Sequence, residues 1–388
     1  MRPLEGILVL DFSQYLAGPS AALRLADLGA RVIKVENPKT GDNSRHLSLK
    51  NMFSDGDSVN FQAINREKES FAADLKNPHD LQMVKRLVAQ ADVLVENFRP
   101  GVMKKFGLDW EGTSALNTRL VYATVTGYGT EGPWRSKPGQ DLLVQSLSGL
   151  AYMNGNGDQP PTPFGISIVD TFTGTHLTEG VLACLVRRAK TGRGGRVEVS
   201  LLESALYLQL EGLTTYFNGN HQLPIRSKVN NAHPYVGAPY GIYETKDGYI
   251  AISMGSVLEV GKILSCEALQ AYPDPDSWFP QRDEIKQILC EHLRTRTTGE
   301  WLALLDQAHY WSSEVLDWKQ MSESDGFQAL HFVQDIHRCG NTPLYTTRCP
   351  IHYNGELLRT QKGAPRLGED GEKIIADFQL DGKEAEER

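Results

Sequence analysis

Short apolar runs alternate along this chain with segments of helical period, and that alternation constrains the fold most, because strands separated by helices pair in parallel. Residues Gly6 to Phe12 read GILVLDF, a strand. Gly18-Pro19 follows, and in AALRLADLG the residues Ala21, Leu25 and Leu28 fall at i, i+4, i+7 and line one helical face. Pro19 suits an early helical position, Gly29 ends the helix, and Arg31 to Glu36 (RVIKVE) supplies the next strand. The pattern recurs with strands over Ser70 to Ala73, Val93 to Glu96 and Leu120 to Thr126, and a helix over Pro78 to Gln90. The expectation is an α/β fold with a parallel sheet.

The first strand-to-helix turn is SQYLAGPSA, without the GxGxxG that accompanies an ordinary NAD domain, which argues against hydride transfer. From Asp170 a long helical pattern carries Phe172, Leu177, Val181, Leu182 and Leu185 inward, ends in Arg187, Arg188 and Lys190, and stops at Gly192. GRGGR then reads as a turn into the strand VEVSL, and Leu202 to Leu213 resumes a helical period. After Asn218 the texture changes to polar residues and prolines, followed by GIYETKDGYIAISM, two β segments joined by Lys246-Asp247-Gly248. Residues 260–330 read as mainly helical, Pro343 to Arg366 as irregular to β, and the terminal DGKEAEER as frayed.

A length of 388 residues favours two domains over one growing core. The formal charge of −8, with basic residues scattered along the chain, argues against a nucleic-acid surface. Cys184, Cys266, Cys290, Cys339 and Cys349 lie far apart without metal-ligand spacing, and read as reduced thiols of a cytoplasmic protein. The ten histidines form no HExxH, so no metal is expected. The start of the chain leaves no room for an export signal, and the apolar stretch near Gly180 to Val186 falls far short of the ~20 residues of a membrane span. No membrane contact is expected.

Several separated segments, in order, resemble the class III CoA transferases, which include formyl-CoA transferase and carnitine CoA-transferase and are related to α-methylacyl-CoA racemase. They are LEGILVLDFSQYLAGP, LADLGARVIKVENP, ADLKNP, DVLVENFRPG with FGLDW, VTGYGTEGP, KTGRGGRVEVSLLESAL and APRLGED. The resemblance implies a Rossmann-like large domain from residues 1–219 and 331–388, a smaller α+β domain over 220–330, and an interlocked homodimer.

It also implies that Asp170, in GISIVDTFTG, is the nucleophile. The plain alternative is a helix N-cap, and the two roles are compatible, since a helix start favours an ionised carboxylate ready to attack a carbonyl. In the implied reaction Asp170 attacks the thioester of a donor acyl-CoA to give an aspartyl–acyl anhydride and CoA thiolate. The thiolate then attacks the aspartyl carbonyl, and the resulting aspartyl-CoA thioester passes CoA to an incoming carboxylic acid. Coenzyme A itself is expected to meet Tyr15, Leu16, Ala17, Lys39, Ala73, Asp74, Leu75, Lys76, Asn97, Phe98, Arg99, Lys105, Lys137 and Gln140 by family correspondence. Gly237 is assigned to a loop over the substrate, against the plain reading of a turn beside Pro239.

Four departures from the family pattern narrow the reading. Leu16 stands where formyl-CoA transferase has glutamine, and HPYVGAPYG replaces its run of glycines, so oxalate and formate specificity does not carry over. Lys105 stands where arginine is frequent, which replaces a bidentate phosphate contact with a point charge. Gly139-Gln140-Asp141 replaces the GHD of the racemases, and glutamine cannot titrate, so a transferase is favoured over 2-methylacyl-CoA racemisation, while retention of Asp170 argues against a non-catalytic acyl-CoA-binding protein. His176 is expected to pack or hydrogen-bond, and His233 to touch substrate or lie at the surface.

Overall fold

The computed structural model describes residues 1–338 and 343–381; Cys339 and all of the acidic tail after Asp381 lie outside the described residues. Six strands form one parallel sheet: β1 (Leu8–Asp11), β2 (Arg31–Glu36), β3 (Glu69–Ala72), β4 (Val93–Glu96), β5 (Val121–Thr126) and β6 (Gly195–Ser200). Their spatial order is β3-β2-β1-β4-β5-β6, the doubly wound order of nucleotide-binding folds, with its switch point between β1 and β4. The parallel sheet expected from the alternating pattern is present. β3 starts one residue earlier than its Ser70–Ala73 expectation because Glu69 pairs with Ile33.

The central strands are mainly apolar and buried on both faces, as a sheet covered by helices requires, with charged residues at Asp11, Lys34, Glu36 and Glu96. Phe12, Ile33, Phe71, Val84, Leu87 and Leu94 form one core with the helix Pro78–Gln90. Each such fully buried side chain contributes roughly 1.5–3 kcal/mol.

Two helices matter for the site, α1 (Ala17–Asp27) and α2 (Ile168–Thr191), which pack on one another. The buried stripe of α2 is Val169, Thr173, Gly174, Leu177, Thr178 and Val181. Phe172, Leu182 and Leu185, expected inward, are only half-buried. Small residues face α1 instead, because the two backbones approach closely: a Cβ on Gly174 would lie 2.8 Å from the Ala17 carbonyl oxygen. Past β6, the expected single helix over Leu202–Leu213 is two, Leu201–Tyr207 and Leu210–Asn218. The helix Gly371–Phe378 escaped the sequence reading.

The described residues divide into two compact units, one comprising 1–144, 167–205, 331–338 and 343–381 and the other 145–166 and 206–330. The sequence-based boundary at 220 left 145–166 and 206–219 in the first domain. Hydrogen bonds join part of that stretch to the second unit: Arg226 donates to the carbonyls of Asn154 and Gln159, and the Gly157 N–H donates to Ser227. The second unit is α+β, with the antiparallel strands β7 (Gly241–Glu244), β8 (Tyr249–Ile252) and β9 (Ser312–Glu314) in the order β9-β8-β7. The first two form the hairpin read from sequence. Tyr243, Ile250, Leu289 and Trp301 centre its core.

Gly174→Ala tests the α1–α2 approach. Helix propensity alone favours alanine by about 1 kcal/mol, but overpacking costs about 1–3 kcal/mol, so thermal unfolding is expected to show a net loss of stability. A higher melting temperature would mean that α1 yields without cost.

Candidate active site

Asp170 is the third residue of α2, and Ser167 occupies the N-cap without a side-chain cap bond. The N-cap alternative for Asp170 is therefore corrected: the residue stands three positions past the N-cap. Its own backbone N–H, one of the four left unpaired at a helix start, donates to Asp141 Oδ2 at 2.9 Å. Asp141 is buried and begins the short helix Asp141–Leu147. Two carboxyl groups are thereby held at one helix start.

Burial, and then the charge of Asp141, push the Asp170 carboxyl from its usual 3.8 up to about 7. The expectation of a helix start that keeps this group ionised is reversed, because loss of water and a like charge outweigh a helix dipole that is worth about 0.3–1 kcal/mol, or ~2 at best. At neutral pH the group is poised between its acid and its carboxylate.

The loops at the carboxyl ends of β1, β2, β3 and β4 enclose a cavity of about 240 Å³ lined by Phe12, Val35, Phe98, Val102 and Phe106 on its apolar side. Lys34, Asp42, Asp74 and Lys76 supply its charge. Of the residues expected to meet CoA, Ala73, Asp74, Leu75, Lys76 and Phe98 line this cavity. It has room for one ring system of a nucleotide and not for a whole CoA.

The remaining candidates lie outside the lining. Asn97 bridges the β1–α1 loop, accepting the Gln14 N–H at 2.8 Å and donating to the Gln14 carbonyl at 2.7 Å. Tyr15 is exposed, Leu16 half-buried, and Ala17 buried as the first residue of α1. Lys39, Arg99, Lys105, Lys137 and Gln140 are exposed, and the Lys137 ammonium lies 5.9 Å from the Trp134 ring centre. Gly237 lies in the second unit, where a Cβ would meet the Trp278 carbonyl oxygen at 3.0 Å, a packing reason for glycine there. His176 stacks on Phe172 and lies 3.0 Å from Ser204 Oγ, and His233 accepts the Tyr235 N–H.

Sequence reasoning missed the buried charges around the cavity. Lys68 Nζ donates to Asp11 at 2.8 Å, to Asn65 and to the Pro19 carbonyl, while Lys34 Nζ lies 3.7 Å from Asp11 and 2.8 Å from Asp42. Burial alone would raise the Asp11 carboxyl, but the two ammonium groups hold it down at about 2. Glu96, raised by burial, accepts the Phe98 N–H at 2.9 Å and so folds the loop after β4. A lysine or an acid at a strand end reads as a solvated residue; the only signal was that Lys34 and Asp11 interrupt apolar runs.

Residues 4–371 match the model of CoA-transferase family III. The chain is 30% identical over 388 residues to the succinate–glutarate CoA-transferase of Agrobacterium fabrum, covering 97% of this chain and 96% of that protein. It is 36% identical to the succinyl-CoA–L-malate CoA-transferase beta subunit of Chloroflexus aurantiacus, covering 97% and 94%. Among solved structures, a CaiB/BaiF family protein from Brucella suis superposes with a TM-score of 0.84 at 30% identity, over 97% of this chain and 99% of that one. The chain belongs to CoA-transferase family III, and its reaction class is CoA transfer between an acyl-CoA and a carboxylic acid. The resemblance carried by the separated motifs is borne out. Among the described residues no helix is long and apolar enough to cross a membrane, and no group of three or more His, Cys, Asp or Glu is placed to hold a metal.

The Asp170 carboxyl gives a pH prediction with a definite sign. An acid raised to about 7 in the fold stabilises it below the usual 3.8, and that contribution is lost as pH rises through 7. Asp170→Asn is therefore expected to melt progressively above the wild type between pH 5 and pH 8; a gap that narrows would place the proton elsewhere. For the wild type, kcat/KM is expected to rise about tenfold per pH unit up to about 7 and then level off.

Proposed function

We propose that this chain moves CoA from the thioester of a dicarboxylic acid, such as succinyl-CoA, to a second dicarboxylic acid, with Asp170 as nucleophile. The donor is supported by relatives named for it: succinyl-CoA:glutarate CoA-transferase of Mus musculus and succinyl-CoA:mesaconate CoA-transferase of Haloarcula hispanica, alongside the malate enzyme. The observation that carries the nucleophile is the half-buried Asp170 carboxyl at the start of α2, hemmed by Asp141 and poised near neutrality.

The Asp170 oxygen adds to the thioester carbonyl, the carbon–sulfur bond breaks, and CoA leaves as thiolate. The thiolate attacks the aspartyl carbonyl of the mixed anhydride, releasing the donor acid and leaving CoA on Asp170. The acceptor carboxylate attacks this thioester, again expelling thiolate, which takes the acceptor's acyl group and frees Asp170. One thioester is consumed and one formed, so bond energy is conserved without ATP. The raised pKa suits this exchange: Asp170 resists ionisation more than an ordinary acid and is the stronger nucleophile once ionised.

The CoA contacts proposed are Tyr15, Leu16, Ala17, Lys39, Ala73 to Lys76, Asn97 to Arg99, Lys105, Lys137 and Gln140, with Gly237 near the substrate. The interlocked homodimer is part of the same reading. Its support is that one chain leaves Leu223, Ile225, Trp311 and Trp318 exposed.

Asp170→Asn is expected to lower kcat by roughly 10³-fold or more. With donor acyl-CoA and no acceptor, hydroxylamine should yield a hydroxamate on the peptide holding Asp170, read by mass. An adduct on another carboxylate, or normal turnover by the variant, would remove Asp170 from the chemistry. Enzyme-dependent deuterium uptake at the α-carbon of a 2-methylacyl-CoA would instead favour racemisation. Sedimentation should give a dimer that survives dilution to micromolar concentration, and reversible dissociation there would exclude threaded chains.

A further inference from the structure

The loop from β1 to α1 carries Tyr15, Leu16 and Ala17, and its backbone takes a path that side chains with a Cβ avoid. Tyr15 has φ 67, in the left-handed region where glycine is the ordinary occupant. Such a conformation persists only where its surroundings impose it. Asp42 Oδ1 accepts the Tyr15 N–H at 3.2 Å, and also the Ser44 N–H and hydroxyl, each at 2.8 Å. Asp42 Oδ2 lies 2.8 Å from Lys34 Nζ, which donates in turn to the Ser13 carbonyl at 2.7 Å. The Asn97 amide closes on Gln14 from the other side.

Asp42 is 1% exposed, so its charge is buried against Lys34 and its oxygens have little water to turn to. It does not lie in the β1–α1 loop; it reaches that loop from the segment after β2. One buried carboxylate thus joins two loops at the mouth of the sheet and holds the strained residue by its backbone.

We propose that Asp42 is a positioning residue of the acyl-CoA site: by gripping the Tyr15 N–H it fixes the direction in which Tyr15, Leu16 and Ala17 meet CoA. The inference rests on the reading that this loop contacts CoA. Asp42 also lines the cavity, and the role proposed for it runs through the loop conformation and not through contact with the substrate. Asp42→Asn leaves one oxygen but turns an NH2 group on the Lys34 ammonium, so the grip weakens.

A double-mutant cycle with Tyr15→Gly separates conformation from contact, because glycine adopts φ 67 without strain and has less need of the grip. Asp42→Asn is expected to raise KM for acyl-CoA about tenfold in the wild-type background and by less than about threefold alongside Tyr15→Gly, with thermal unfolding measured for every variant. An equal multiple in both backgrounds overturns the proposal. Amide hydrogen exchange of the unsubstituted protein needs no variant: the Tyr15 N–H should be strongly protected, and exchange at the rate of a free loop also overturns it. Leu16→Glu keeps the underlying reading separate. If Leu16→Glu leaves KM for acyl-CoA unchanged, the loop is not part of the CoA site; if it raises KM while the cycle is additive, only the role of Asp42 fails.

Discussion

The large unit depends on a pair of ammonium groups buried against Asp11 at the carboxyl end of β1. Parallel pairing sets Asp11 of β1 beside Lys34 of β2, and Lys68 arrives just before β3 to bond the same carboxylate. With Asp42 the four charges balance at neutral pH. Removing any one would strand an opposite charge away from water, at a cost of about 3–5 kcal/mol. The cluster exceeds what stability requires, since a wholly apolar layer would serve as well. What it adds is direction: Lys34 fixes the Ser13 carbonyl, Lys68 the Pro19 carbonyl, and Asp11 the Ser13 hydroxyl and N–H. The β1–α1 loop is thus anchored on both sides of Tyr15.

That anchoring explains how a sheet with the order of dinucleotide-binding folds dispenses with their glycines. In those folds three glycines let a tight turn bring pyrophosphate onto a helix start. Here the turn is made by the side chains of Asp11, Asp42 and Asn97, and the one left-handed residue is a tyrosine. A backbone carved by side chains presents a different surface at the same switch point: an apolar cavity between Phe12, Phe98 and Phe106 with lysines and acids at its edge. The position of the site follows from topology, and its chemistry from what replaced the glycines.

Much of this was legible in the sequence, for physical reasons that also mark its limits. Strands buried on both faces are mainly apolar, so GILVLDF and VLVE declared themselves, and a helix ending in glycine after a basic turn declared α2. Ala73 to Lys76 and Phe98 were placed by motif resemblance, and the cavity brings them together. What stayed hidden was three-dimensional pairing. Nothing in RVIKVE says that its lysine is the most enclosed residue of the strand, because its partners Asp11 and Asp42 stand 23 and 8 positions away. Asp141 was read through its neighbour Gln140, whose side chain was compared with the histidine of racemases, while the contact that matters is the one Asp141 makes to the Asp170 N–H. The extent of the second unit was obscured in the same way, since Asn154 and Gln159 join it through carbonyl groups that any residue carries.

The Asp141–Asp170 arrangement has a consequence for how such a site can work with acids as substrates. An ordinary carboxyl near 4 would be fully ionised at neutral pH and, in a desolvated pocket, would repel an incoming carboxylate. A carboxyl near 7 shares its time between charge and neutrality, so in the proposed reaction the free carboxylate of a dicarboxylyl-CoA donor meets less repulsion as it enters. The backbone bond to Asp141 keeps that second negative charge at a set distance, so the raised pKa is a property of the folded helix start and persists before any substrate arrives. Asp170 is held on the rigid end of a 24-residue helix, whereas the candidate CoA contacts sit on loops. The proposed nucleophile is therefore fixed by secondary structure and the proposed CoA-binding surface by buried charge.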